Sequence, residues 1–72
     1  RPGPAAMKKA QIIIEFNPST GVKRPYECYW VNEESGRIFN SSSATIEGAR
    51  KSAKATAKRN ASYYTVEIIE NL

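Results

Sequence analysis

Between Gly48 and Asn60 stand five basic residues, Arg50, Lys51, Lys54, Lys58 and Arg59, and no acid. Side chains of this kind neutralise phosphates by charge alone, without reading base sequence. Arg50, Lys54 and Lys58 recur every four residues, a spacing that aligns side chains along one side of a helix, with Lys51 alongside. Lys23, Arg24 and Arg37, in and beside the hairpin loops, are placed to extend the same footprint. The plainer reading is a solvated helix face, but five cations without a compensating glutamate exceed what solubility requires. The pattern therefore predicts contact with nucleic acid or another acidic surface.

The residues needed for catalysis are missing. The chain has no histidine, so it lacks the usual general acid–base group and the common zinc ligand sets. It has no glycine-rich phosphate loop and no nucleophile elbow. Its paired carboxylates, Glu33-Glu34, fall in a turn and read as a solvated hairpin tip. Cys28 is the only cysteine. In an apolar run, with no histidine to lower its pKa, it reads as a small buried hydrophobe. A non-enzymatic protein without metal or cofactor is expected. A lone cysteine and no signal peptide point to a reducing, intracellular and hence cytoplasmic setting. No apolar run approaches the ~20 residues of a membrane span. The triplets Asn40-Ser41-Ser42 and Asn60-Ala61-Ser62 match a glycosylation pattern, but without a secretory signal they are discounted.

These side chains must be positioned by few elements. The chain has 72 residues. Its first six, Arg1-Pro2-Gly3-Pro4-Ala5-Ala6, read as an artificial or disordered tail ahead of Met7, leaving residues 7–72 as a single domain. Ala10 to Phe16 is rich in isoleucine and reads as a strand, ended by the turn formers Asn17-Pro18-Ser19-Thr20-Gly21. Tyr26 to Asn32 reads as a second strand. Glu33-Glu34-Ser35-Gly36 is a hairpin loop, with Gly36 able to take positive φ. Arg37 to Asn40 makes a short third strand, and Ser41-Ser42-Ser43 breaks it. A helix follows from about Thr45 to Arg59, with Thr45 or Ser43 as N-cap, Glu47 in the first turn and Asn60 as the stop. Ser62 to Glu70 alternates and reads as a fourth strand. The expected fold class is α+β, order β-β-β-α-β: a three- to four-stranded, mainly antiparallel sheet with one helix packed on one face.

One helix covers one face only. Ile46, Ala49, Ala53 and Ala57 form its apolar stripe, which lets it lie close to the sheet. Strand alternation then leaves Ile13, Tyr29, Val31, Tyr63 and Ile69 on the other face, among Glu15, Glu27 and Glu67. That is either a contact surface or ordinary scattered apolar exposure. A domain this small buries only about 60% of its unfolded surface, and oligomerisation is one route to added stability. A homodimer or another protein partner at this face, or at a free strand edge, is the alternative to nucleic acid.

The run Tyr26-Glu-Cys-Tyr-Trp-Val-Asn-Glu-Glu-Ser-Gly-Arg-Ile-Phe, with Thr45-Ile-Glu-Gly-Ala-Arg after it, resembles the arm-type DNA-binding domains of phage integrases. There a three-stranded sheet enters the major groove and a helix packs behind it. It equally resembles small hairpin–helix–strand proteins of unknown function from phage and bacteria. The likeness spans about Tyr26 to Arg59 and rests on layout. The fourth strand and the sheet glutamates depart from the integrase pattern. The first resemblance implies DNA binding; the second is compatible with a phage-type inhibitor acting on a protein.

Overall fold

The computed structural model describes residues 7–19 and 21–72. The six-residue tail and Thr20 of the first turn lie outside the described residues. Where isoleucines and aromatics cluster, strands form: β1 (Lys8–Phe16), β2 (Tyr26–Asn32), β3 (Gly36–Ser43) and, after α1 (Ile46–Arg59), β4 (Tyr64–Asn71). The fold is α+β in the expected order, with one four-stranded, mostly antiparallel sheet arranged β3-β2-β1-β4. β1 pairs antiparallel with β2 and parallel with β4, and β2 pairs antiparallel with β3. β3 and β4 occupy opposite edges, so α1 crosses the sheet between them, as parallel strands require.

Three boundaries differ from expectation by two residues or more. β1 starts at Lys8, because Lys8 and Lys9 find register partners in Tyr64 and Thr65. β3 continues through the serines expected to end it, pairing Ser41, Ser42 and Ser43 with Cys28, Glu27 and Tyr26. β2 offers a full-length edge, and pairing outweighs the weak strand preference of serine. Ser62 and Tyr63 belong to a turn in which the amides of Tyr63 and Tyr64 donate to the Asn60 carbonyl at 3.0 and 2.9 Å. Gly36 takes φ 71° in the β2–β3 turn, a conformation that favours glycine.

Local signals set the ends of α1. The Thr45 side chain accepts from the Gly48 amide at 3.1 Å, capping the first turn. At the other end Asn60 donates through Nδ2 to the Thr56 carbonyl at 2.8 Å. A Cβ at Gly48 would stand 3.2 Å from the Ser43 Cβ, so glycine lets the helix start hard against the end of β3.

The core is small. Ile12 and Ile14 of β1, Cys28 of β2, and Ala49 and Ala53 of α1 are fully buried, with Tyr26, Trp30, Ile46, Ala57 and Val66 packed around them. Alanine on the helix brings its axis close, so the isoleucines fill the gap. Each buried isoleucine contributes roughly 1.5–3 kcal/mol. A β-bulge interrupts β3: Cys28 faces Ser41 and Tyr29 faces Phe39, leaving Asn40 as the extra residue. Two successive side chains thereby reach α1. Asn40 Nδ2 donates to the Thr56 hydroxyl oxygen at 3.1 Å, and the Ser41 and Ser52 hydroxyls lie 2.7 Å apart.

Candidate functional site

At roughly 100° per residue, and with Ala49, Ala53 and Thr56 facing the sheet, Glu47, Lys51, Lys54 and Lys58 fall on an outward strip about 60° wide. All four are exposed. The lysines span about 10 Å of helix axis, from seven residues at 1.5 Å each. Lys51, Lys54 and Lys58 make no ion pair or side-chain hydrogen bond among the described residues. Glu47 shares the strip at its N-terminal end, where the helix dipole favours it.

Arg50 is not part of this ridge. It points down the flank toward β4, where Nε and Nη2 donate to the Glu70 carboxylate at 2.7 and 2.9 Å. The pairing holds the Glu70 carboxyl below its usual range and raises the guanidinium further. The sequence showed a four-residue repeat of cations but not that a glutamate lies beneath one of them. Arg59, on the opposite flank, donates to the Thr56 hydroxyl at 3.1 Å.

The remaining predicted cations lie elsewhere. Lys23 and Arg24 are exposed in the β1–β2 loop. That loop leaves the sheet at Phe16 and Tyr26, the end where Ser43 also lies and α1 begins. Arg37 is a strand residue, as expected for the third strand, and it faces away from the helix. It is removed from the helix footprint because it is spent on a carboxylate: Nη1 and Nη2 donate to Glu15 at 2.8 and 2.7 Å.

That ion pair organises the open face. Glu15 and Glu27 stand directly opposite each other on β1 and β2, an arrangement that repels. Arg37 relieves it from two strands away and holds the Glu15 carboxyl below its usual range through its hydrogen bonds. Glu27 accepts from the Tyr29 hydroxyl at 2.9 Å and from Asn17 Nδ2 at 3.4 Å. Donation to a carboxylate pushes the Tyr29 hydroxyl up. The Arg37 guanidinium lies 3.8 Å from the centre of the Tyr29 ring, a cation–π contact. Phe39 meets the same ring edge-on, with centroids 5.8 Å apart.

Register places Ile13, Tyr29, Val31 and Ile69 together on this face. Tyr63 does not join them as a strand residue: it stands in the turn before β4, 72% exposed. Strand alternation had run two residues too far, through Ser62 and Tyr63, into that turn. Phe39, 54% exposed beside Tyr29, is the aromatic that the reading missed. Its signal was the alternation with Arg37 in a strand too short to assign faces.

At the hairpin end, Glu34 is held by Lys8 Nζ at 2.7 Å and by the Tyr64 hydroxyl at 3.1 Å. Both bonds, Lys8 first, keep its carboxyl below the usual range. Beside it, Lys9, Gln11, Val31, Glu33, Thr65 and Glu67 line a shallow recess.

No family model, curated protein or solved structure matches the chain. Among the described residues no three histidine, cysteine, aspartate or glutamate side chains gather as a metal set. No described helix is long and apolar enough to cross a membrane. Cys28 is buried, its thiol 3.5 Å from the Ala49 carbonyl oxygen, and burial pushes that thiol up. It stays protonated and packs as part of the core.

Proposed function

We propose that the chain is a non-enzymatic, intracellular nucleic-acid-binding protein that contacts phosphates through the outer strip of α1. The supporting observation is how the cations are sorted. Three of them, Lys8, Arg37 and Arg50, pair with glutamates. Lys51, Lys54 and Lys58 stay unengaged along one exposed line. Over about 10 Å a duplex presents about six phosphates, three per strand, so three lysines can follow one strand. Such contacts position the protein without selecting a base sequence.

The test is fluorescence anisotropy with labelled duplex and single-stranded DNA and RNA. Three phosphate contacts give a log–log salt slope near −2.7, a loss of about 40-fold in affinity between 50 and 200 mM salt. Replacing Lys51, Lys54 and Lys58 together with glutamine is expected to abolish both the binding and its salt dependence. Undiminished binding by that variant, or no wild-type binding at low salt, rejects the reading.

A second reading is favoured by Phe39 and Tyr29: a protein-interaction module, of the phage inhibitor type, that uses the open face with Ile13, Val31 and Ile69. In that case Tyr29→Ala or Phe39→Ala weakens assembly, and the lysine changes leave it intact.

A further inference from the structure

The two edges of the sheet are differently equipped. An unpaired strand edge is a template for another chain, and folded proteins guard it with bulges, lysines or proline. β3 carries such a guard in its bulge at Asn40. β4 carries none. Its pairing with β1 runs without interruption from Lys8–Tyr64 to Glu15–Asn71. Between Tyr64 and Asn71 it has no lysine, arginine or proline. Its only charges are Glu67 and Glu70, and Glu70 is already paired with Arg50. Its other edge meets no described strand. Two exposed apolar residues lie at this edge: Ile68 within the strand, 37% exposed, and Leu72 just past its end, 61% exposed.

We propose that β4 is a homodimerisation edge, pairing antiparallel with a second copy about a two-fold axis through Ile68. An axis perpendicular to the sheet sets helix-side residues opposite helix-side residues, so the only freedom is the residue on which it falls. Centred on Ile68, that residue meets the partner's Ile68, and Tyr64 meets the partner's Leu72. Val66 meets the partner's Glu70. On the open side Glu67 meets the partner's Ile69, and Thr65 meets the partner's Asn71. Centring on Glu67 or Glu70 sets like charges face to face, which destabilises. Centring on Ile69 sets Ile68 against the partner's Glu70 and loses the contact between Tyr64 and Leu72. Centring on Val66 shortens the overlap to five residues, counted on the sequence from Tyr64 to Ile68.

The chosen register is thus the longest one without opposed carboxylates, and it covers both exposed apolar side chains of the edge. Within β4 it forms about six to eight backbone hydrogen bonds, within the usual count for a specific interface. The product is one continuous eight-stranded sheet with both helices on the same side, about 19 Å apart at four strand spacings. This inference does not depend on nucleic-acid binding.

Sedimentation equilibrium on the whole chain tests it. Wild type is expected at twice the 8.0 kDa chain mass. Ile68→Glu and Ile68→Lys each put like charges on the axis and are expected to weaken dimerisation at least about 100-fold. Circular dichroism reports that each variant is folded. Mixing the two variants is expected to restore a dimer, because glutamate then faces lysine. If the variants do not fold, amide exchange of wild type takes over: outward amides of β4 gain protection as concentration rises. A monomeric wild type overturns the proposal. So does a dimer that tolerates Ile68→Glu, a folded pair of variants that fails to associate, β4 protection independent of concentration, or a dimer dissolved by Tyr29→Ala but not by either Ile68 change.

Discussion

The two faces of the sheet use the same strands for different ends. On the covered face Ile12 and Ile14 are sealed beneath Ala49 and Ala53. On the open face Ile13, between them in sequence, is only half-buried and shares its surface with an ion pair and two aromatic rings. One face is therefore held by shape and exclusion of water. The other is held by hydrogen bonds and charge, which respond to pH and salt. Stability resides under the helix, while the charged and aromatic groups that stay open to solvent lie on the open face and on the outer helix strip.

The sharpest way to break this division is to truncate neighbouring isoleucines. Ile14→Ala is expected to cost about 2–5 kcal/mol, as cavity formation adds to lost burial. Ile13→Ala is expected to cost less than about 1.5 kcal/mol, since that side chain keeps part of its surface in water. Urea unfolding measures both, and equal losses would show that the open face is covered in solution. Next in size is Ala53→Leu. The helix lies too near the sheet for three more carbons, and a loss of about 1–3 kcal/mol is expected from overpacking. A neutral result would mean that α1 sits farther out.

A smaller effect follows from Thr56→Val, which keeps the shape and removes the acceptor shared by Asn40 and Arg59. Both donors can turn to water, so about 0.5–1 kcal/mol is expected. The smallest concerns pH. The folded-state pKa of Glu15 lies below its ordinary 4.5. Its contribution is present above that ordinary value and is lost as pH falls through the depressed one. Glu15→Gln is therefore expected to flatten the fall in stability as the pH drops below about 4.5. An unchanged acid limb in chemical denaturation would assign that fall to other carboxylates.

Much of this was legible in the chain. The run Ile12-Ile13-Ile14, the aromatic strand from Tyr26 and the alternation after Tyr64 announce strands by residue type, and Thr45 and Asn60 announce the helix ends. The alanine stripe gave the covered side. What stayed hidden depends on neighbours distant in sequence. Ser41 to Ser43 became strand because β2 had an edge to offer and Ser52 a hydroxyl to meet. Arg50 left the lysine ridge because strand order put Glu70 below it. Arg37 left the wider basic footprint because a two-strand reach to Glu15 exists only once β3, β2 and β1 lie side by side. Tyr63 was misassigned because alternation carries no mark of where a turn begins.

The parallel pairing of β1 with β4 bears on how the domain is made. β1 lies in the interior of the sheet, and one of its two neighbours, β4, is the last of these four strands to leave the ribosome. Ile12 and Ile14 must wait, flanked on one side only, until α1 has crossed and Tyr64 to Asn71 has arrived. Long-range closure of this kind is slow. During synthesis the exposed side of β1 is a site where another nascent chain can insert its own β4.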